Sequence, residues 1–252
     1  MCQLLGICAN RPIDIQFSFQ EWKHRGKSNR HGYGFAYWKE GRWQLVKEAS
    51  SLYEAGPDQT DEVLAARSHL FLAHVRYATV GAQDGSNTHP FAASLGGHTW
   101  AFAHNGTVKG IQARPLRELQ AGGATDSERA FLWLLENLAD VPDGDFARRL
   151  KALGDDVRRL GRFNFLLSDG SALSAYAHDR LHFIERRPPY GGELVRLKDD
   201  GYAIGLKEVK HPEERAVLIA TEPLTEEPGW TRLEQGELLV ARGGRVERRI
   251  DG

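Results

Sequence analysis

Cysteine, net charge and long apolar runs are all scarce in this chain, and each shortage excludes a class of protein. Two cysteines among 252 residues cannot form the disulfide framework of a small secreted domain. The 33 basic and 34 acidic residues nearly cancel, so no general attraction to nucleic acid or acidic membranes is indicated. The sequence has neither a signal peptide nor an apolar run of membrane-spanning length. We therefore expect a cytoplasmic protein that binds neither nucleic acid nor a membrane.

What is present is enough apolar sequence for a substantial core, since 41 % of the residues are hydrophobic. No linker, repeat or low-complexity tract interrupts the chain, so we expect a single domain over residues 1–252. Predicted strands come first, two helices follow the capping sequence Thr125-Asp126-Ser127-Glu128, and strands then return. That order predicts an α+β fold with helices packed on mostly antiparallel sheets.

The predicted elements follow from apolar periodicity and from turn residues. Helices are predicted over residues 15–24 and 60–66 and in the segments that begin near residues 126 and 146. Strands are predicted over residues 1–9, 32–38, 42–47, 69–75, 99–103, 163–168, 173–177, 181–185, 217–221 and 238–241. Residues 80–90 are rich in Gly, Asn, Asp and Ser, which predicts a loop.

Cys2 is the first candidate for chemistry, because it directly follows the initiator Met1. Removal of Met1 would leave one residue with both a thiol and a free α-amine. A free thiol has a pKa of about 8.5 and an α-amine one of about 7.7–8.0. The amine could therefore take the thiol's proton, as it does for N-terminal threonine nucleophiles. The alternative is a buried strand in which Cys2 is an incidental small residue.

Three polar clusters stand at predicted strand ends or at a helix start. Arg76 leaves an apolar strand and offers a planar fork for a carboxylate, although an exposed ion pair is the alternative. Asn105-Gly106 could present an amide and a backbone N–H to an oxyanion, but Asn-Gly pairs commonly form turns. Asp126 could bind a cation or simply complement the helix dipole. Each cluster has an ordinary structural interpretation when it is taken alone.

The order of these clusters is more specific than any one of them. It resembles the glutaminase domain of class II glutamine amidotransferases, which belong to the N-terminal-nucleophile hydrolases. The matching stretches are Cys2, His24-Arg25-Gly26, His74-Val75-Arg76-Tyr77-Ala78-Thr79, Asn87-Thr88-His89-Pro90, His104-Asn105-Gly106 and Thr125-Asp126-Ser127-Glu128. Residues 163–170 and 221–224 resemble markers of the stand-alone YafJ-type members, and γ-glutamyl hydrolases of ergothioneine biosynthesis come next in likeness. The resemblance implies a four-layer αββα sandwich with two antiparallel sheets between helical layers.

The resemblance also implies the reaction and the groups that carry it out. Cys2 would attack the γ-amide carbon of glutamine and form a thioester, releasing ammonia and then glutamate. The Asn105 side chain and the Gly106 N–H would hold the oxyanion. Arg76 would bind the substrate α-carboxylate and Asp126 its α-ammonium group.

Further residues are assigned to the pocket by the same resemblance. Tyr77 and Thr79 would line it, and Arg25 and Gly26 would support the surroundings of the nucleophile. Many fused members have Trp and His where this chain has Tyr77 and Val80, so pocket closure should differ in detail.

No cofactor and no metal are expected. The candidate metal ligands are histidines on different segments, and they lack the close pair spacing of a zinc site. They are His31, His74, His89 and His104.

Three functions follow as alternatives. The first is an amidohydrolase that releases ammonia from glutamine or a γ-glutamyl amide. Since the chain ends where a glutaminase domain should end, that ammonia either passes to a separate synthase partner or is simply released by hydrolysis. The ergothioneine-type alternative removes glutamate from a larger γ-glutamyl compound. The last alternative is a non-catalytic binding domain on the same fold. Loss of Cys2, Asn105 or Arg76 would have favoured it, and all three are present.

Overall fold

The computed structural model describes residues 2–77 and 84–252. These residues form helices α1 (Gln16–His24), α2 (Pro57–Ala65), α3 (Asp126–Glu136), α4 (Asp143–Val157) and α5 (Leu206–Val209). Their strands are β1 (Gln3–Ile13), β2 (Tyr33–Lys39), β3 (Arg42–Glu48), β4 (Ser68–Val75), β5 (Phe91–Leu95), β6 (His98–Val108), β7 (Gly161–Ser168), β8 (Ala172–Tyr176), β9 (His182–Arg186), β10 (Leu194–Arg196), β11 (Ala203–Gly205), β12 (Ala216–Ala220), β13 (Thr231–Arg232), β14 (Leu238–Arg242) and β15 (Arg245–Ile250).

Two large sheets organise the molecule. The seven-stranded sheet has the order β13-β9-β12-β1-β4-β2-β3, and the six-stranded sheet has the order β15-β14-β8-β7-β6-β5. Neighbouring strands in both sheets are antiparallel. β1 lies between β12 and β4, so the N-terminal strand is paired on both edges.

Alternation along the strands gives three apolar layers, because successive side chains point to opposite faces. Leu4 and Cys8 of β1 face the six-stranded sheet and pack with Leu166 and Leu173. The opposite face of the seven-stranded sheet packs against α1 and α2. The outer face of the six-stranded sheet packs against α3 and α4. The layers are therefore helix, sheet, sheet and helix, which confirms the predicted α+β sandwich.

The structure corrects the sequence prediction around Asn105. We expected the strand to end near residue 103 and considered a turn at Asn105-Gly106. Instead β6 continues to Val108, with Asn105 paired to Asn164 and Gly106 to Phe163. Local turn propensity is overridden because β7 supplies a full ladder of partners, an interaction that the local sequence does not reveal.

Other differences concern short edge elements. Strands β5, β10, β11, β13 and β15 were not predicted, because they are short or polar and depend on a neighbouring strand for stability. The capping sequence forms in part: the Thr125 hydroxyl accepts a hydrogen bond from the Glu128 N–H at 3.2 Å. The Glu128 carboxylate instead binds the N–H groups of Gly122 and Gly123. In residues 2–77 and 84–252, no helix combines the length and apolar character needed to cross a membrane.

The segment before β5 crosses β2 at very short range. A Cβ placed on Gly34 would lie 2.2 Å from the His89 carbonyl oxygen. Gly34 also pairs with His74 of β4. This strand position therefore accepts only glycine, and that allows His89 to lie over the seven-stranded sheet next to His74.

We expect Gly34→Ala to destabilise the protein by about 1–3 kcal/mol, the usual cost of forcing an extra carbon into a packed site. Urea unfolding followed by circular dichroism would measure the change. Gly144→Ala is the control, because a Cβ there meets nothing within 4 Å. Equal stability of the two variants would contradict the close approach at Gly34.

Candidate active site around Cys2

The Cys2 sulfur lies at the start of β1 and contacts the backbone that follows β4. The Tyr77 N–H donates to Cys2 Sγ at 3.1 Å, and the thiol donates to the Tyr77 carbonyl at 3.4 Å. The pairing of Gln3 with Val75 brings these two strand ends together. The β1–β4 register thus sets the position of the thiol.

Two opposing effects act on the thiol. Burial raises the pKa of Cys2 above its ordinary value, while the Tyr77 N–H and the Arg76 charge act to lower it. Arg76 is itself buried, and burial lowers its pKa while the nearby Cys2 and Asp84 act to raise it. A deprotonated sulfur would therefore have a backbone donor and a cation near it.

Asn105 joins the six-stranded sheet to Cys2. Its side-chain Nδ2 donates to the Cys2 carbonyl oxygen at 2.6 Å. Gly106, the next residue, has φ +152, and a Cβ there would lie 1.9 Å from the Arg162 carbonyl oxygen. Only glycine fits this position. The two residues predicted to hold an oxyanion therefore lie on one strand beside Cys2.

Asp126 is bound to the far end of the same strand. Its Oδ2 accepts from the Val108 N–H at 2.7 Å, and its Oδ1 accepts from the Ser127 N–H at 3.0 Å. The neighbouring Ser127 hydroxyl lies 2.8 Å from His104 Nδ1. The first turn of α3 is thus attached to β6 on both sides of Asn105 and Gly106.

A cluster of buried histidines lies behind the site. The rings of His74 and His89 are 4.3 Å apart, and those of His89 and His104 are 6.4 Å apart. The ring nitrogens of His74 and His89 are buried, and neither ring makes a well-formed hydrogen bond with the described residues. Burial lowers the pKa of all three side chains, so they are held neutral.

The histidines do not assemble into a metal site within the described chain. No three His, Cys, Asp or Glu side chains of residues 2–77 and 84–252 are arranged to hold a metal ion.

The remaining predicted residues differ in how they relate to Cys2. Arg25 binds Glu21, Asp199 and Glu222, so its charge is shared among carboxylates of the protein. Gly26 packs under the backbone of Tyr53. Tyr77 reaches the sulfur through its backbone, and its ring is 45 % exposed. Met1, Thr79 and Val80 lie outside the described residues.

Asn164 is a residue at the site for which the sequence suggested no role. It is fully buried, and its Nδ2 donates to the Asn105 carbonyl at 3.2 Å. Its Oδ1 accepts from three consecutive N–H groups, those of His178, Asp179 and Arg180. The sequence feature that could have pointed to Asn164 is its position between Phe163 and Phe165 in an otherwise apolar strand.

Thr221 is the second such residue. Its hydroxyl accepts from the Leu4 N–H at 2.8 Å, and its own N–H donates to the Leu4 carbonyl at 3.0 Å. This pair continues the β1–β12 ladder toward Cys2. Residues 221–224 were recognised only as a marker, because their contacts come from the far end of the chain.

Two antiparallel sheets packed face to face, with helices outside them, form the architecture of the N-terminal-nucleophile hydrolase fold. The chain belongs to the class II glutamine amidotransferase family, whose model, "Glutamine amidotransferases class-II", matches residues 1–251. An uncharacterized protein of Methanocaldococcus jannaschii is 38 % identical over 98 % of this chain and 70 % of its own length. YafJ of Escherichia coli, named as a predicted glutamine amidotransferase, is 34 % identical over 98 % of this chain and 100 % of its own.

Solved structures are similar to this chain as well, one in sequence and fold and another in fold alone. A predicted glutamine amidotransferase from Pseudomonas aeruginosa has a TM-score of 0.74 and 33 % identity, covering 98 % of this chain and 100 % of its own. The PRPP amidotransferase of Bacillus subtilis shares the fold, with a TM-score of 0.66 and 15 % identity over 99 % of this chain and 49 % of its own. A Mycobacterium tuberculosis protein named γ-glutamyl-hercynylcysteine sulfoxide hydrolase is 31 % identical over 82 % of this chain and 73 % of its own.

The buried histidines predict loss of stability in mild acid. Burial, together with smaller electrostatic effects of the neighbouring His104 and Arg76, lowers the pKa of His74 to about 3, against about 6.5 in an unfolded chain. The unfolded state therefore binds more protons between these values. The free energy of unfolding should have its full value above about pH 6.5. It should decline as the pH falls, by up to about 1.4 kcal/mol per pH unit for each such histidine.

Urea unfolding between pH 7 and pH 5 would measure this slope. His74→Leu should flatten it by about the contribution of one proton, since the variant has no group to protonate there. His98→Asn is the control, because His98 is exposed, and it should keep the slope of the unmodified protein. A stability that does not change over this range would contradict the prediction.

Proposed function

We propose that the chain is an amidohydrolase that cleaves the γ-amide of glutamine, with Cys2 as the nucleophile after removal of Met1. The observation that carries this proposal is the contact between the two sheets, where Asn105 Nδ2 lies 2.6 Å from the carbonyl oxygen of Cys2. This bond holds the Asn105 amide next to the residue that carries the thiol and uses one of the two N–H donors of that amide. A thiol with an amide donor beside it suits attack on a carbonyl and stabilisation of the resulting oxyanion. Membership of the glutamine amidotransferase family supports the same reaction class.

In the proposed reaction the α-amine of Cys2 takes the thiol proton and the sulfur attacks the γ-carbonyl carbon. Asn105 Nδ2 and the Gly106 N–H stabilise the oxyanion, and the ammonium of Cys2 gives its proton to the departing nitrogen. A water molecule then cleaves the thioester and releases glutamate. Arg76 and Asp126 bind the α-carboxylate and the α-ammonium, because a zwitterionic head group needs one partner of each sign.

Four residues complete the proposed pocket. Tyr77 and Thr79 line it, whereas Arg25 and Gly26 support it from the side of the helix α1. Released ammonia either leaves the enzyme or is used by a separate synthase.

A second candidate is a γ-glutamyl hydrolase that acts on a larger amide. The observation that favours it is the likeness to the mycobacterial protein named γ-glutamyl-hercynylcysteine sulfoxide hydrolase. Both candidates use the same nucleophile and differ in the group that leaves.

Cys2→Ala should abolish glutamate release from glutamine and leave the fold intact, because the variant lacks the attacking sulfur. Assays of glutamate release and labelling by an electrophilic glutamine analogue would test this. Cys8→Ala is the matched control: Cys8 is a buried packing residue and should be dispensable for the chemistry. Full activity of Cys2→Ala would eliminate the nucleophile assignment, and an inactive but glutamine-binding wild type would favour a binding domain.

Asn105→Ala should lower kcat by roughly 10²–10³, the usual loss for one oxyanion donor, with a smaller effect on KM. Steady-state kinetics would separate the two constants. Thermal unfolding of the same variant checks that the link between the sheets is not needed for folding. A variant that keeps kcat and raises only KM would reassign Asn105 to substrate binding.

Activity should also depend on the loss of Met1, because with Met1 attached the nitrogen of Cys2 is an amide with no basic lone pair. Intact-mass analysis would quantify the processed and unprocessed chains, and activity should follow the processed fraction. Co-expression with a methionine aminopeptidase should raise both together. Full turnover by a chain that retains Met1 would require another base for the thiol.

A further inference from the structure

The two edges of β1 lead to different sides of the proposed site. On one edge β4 leads into Arg76 and Tyr77. On the other edge β12 leads into Thr221 and Glu222, and the ladder is continued by the bonds between Leu4 and Thr221. If the head group of an extended substrate is bound at Arg76, its leaving group would extend toward the other edge of β1. In that orientation the residues that follow β12 would lie on the leaving-group side.

Residues 178–180 lie beside Thr221 and Glu222, because β9 pairs with β12. We call these two segments together the wall, and Asn164 holds residues 178–180 in position. Its Oδ1 accepts the N–H groups of all three residues at 2.8–3.2 Å, while its Nδ2 donates to the Asn105 carbonyl and to Asp179. A fully buried amide with all of these bonds holds the loop rigidly. The loop is thus kept in register with the strand that carries Asn105.

Arg180 extends from this loop toward Glu222, with 4.0 Å between its Nη1 and Oε1 of Glu222. Both side chains are 40 % exposed. Exposed ion pairs of this length contribute about 0–1 kcal/mol, so the Arg180 guanidinium can exchange Glu222 for a ligand at small cost.

The other charges around this wall have shorter contacts. Asp179 binds Arg162 at 2.7 Å, and Glu222 binds Arg25 at 3.3 Å through its second oxygen. Among the described residues, Arg180 has Glu222 as its one carboxylate partner. The arginine fork therefore remains available to bind an anion in two places at once.

We propose that Arg180 binds a carboxylate on the leaving group, so that the preferred substrates are γ-glutamyl amino acids. This inference rests on the proposed function of Cys2. Cys2 attacks the γ-carbonyl carbon, the bond from that carbon to the nitrogen breaks, and the amino acid leaves with the proton that Cys2 first transferred to its own amine. Water then converts the thioester to glutamate and restores the thiol.

The test compares three substrates by the rate of glutamate release, which is common to all of them. The leaving group of γ-glutamylglycine carries a carboxylate. The leaving group of γ-glutamylethylamide is of similar size but uncharged, and that of glutamine is only ammonia. The protein without Met1 should cleave γ-glutamylglycine with a kcat/KM roughly three- to fivefold above that for the ethylamide, as expected for an ionic contact at an exposed rim.

Arg180→Met should remove that preference and change the kcat/KM for glutamine and the ethylamide by less than about threefold, since it removes only a charge at the rim. Arg180→Lys keeps the charge without the fork and should retain part of the preference. Arg187→Met is the matched control, because Arg187 is an exposed arginine beyond the other end of β9. It should leave all three rates unchanged.

The outcomes separate this inference from the proposed function. Cleavage of glutamine without any preference for γ-glutamylglycine, or a preference that survives Arg180→Met, would overturn the Arg180 assignment and leave the Cys2 reaction standing. An equal loss on all three substrates in Arg180→Met would also overturn it, since Arg180 would then act on the fold or on Cys2. If the wild type cleaves none of the three, the proposed function fails, and this inference fails with it.

Discussion

The hydrogen bond from the Asn105 side chain to the Cys2 carbonyl is the contact on which the site depends. It links the residue just before β1 of the seven-stranded sheet to β6, the second strand from the edge of the six-stranded sheet. Both sheets must be in their final register before this bond can form. The site is therefore a product of sheet packing, and the geometry at Cys2 follows from strand pairing that extends through the whole molecule.

Strand pairing also explains why so many polar groups can be buried near Cys2. Arg76, His74, Asn105, Asp126 and Asn164 are almost fully buried. Arg76, Asn105 and Asn164 each share a backbone or side-chain bond with a neighbouring strand or its extension, and Asp126 binds the end of β6. His74 is the exception: its ring makes no well-formed hydrogen bond with the described residues, and burial holds it neutral. The paired polar groups thus stabilise the site, whereas protonation of the buried histidines would destabilise it.

In our proposal the segments 178–180 and 221–222 lie on the leaving-group side, and Arg180 there is more exposed than Arg76 on the opposite side. Residues 178–180 are attached by their backbone to Asn164, but the Arg180 side chain is partly exposed and has one long ionic contact with the described residues. A rigid backbone with an adaptable side chain suits a place where related enzymes with one nucleophile could accept different leaving groups. Specificity of this kind can change by substitution at the rim without disturbing Cys2 or Asn105.

The sequence by itself determined the layered α+β fold and the candidate residues. Apolar alternation marks most of the central strands, and the ordered clusters at Cys2, Arg76, Asn105 and Asp126 identify the family, because strand periodicity and motif order are local properties. Tertiary structure alone decided that Asn105 and Gly106 belong to a strand, since β7 supplies their partners. It also decided the contacts of Asn164 and Thr221, which bind residues at least 14 and 39 positions away. Such pairings depend on how distant segments are brought together in space, and local sequence preference cannot encode that arrangement.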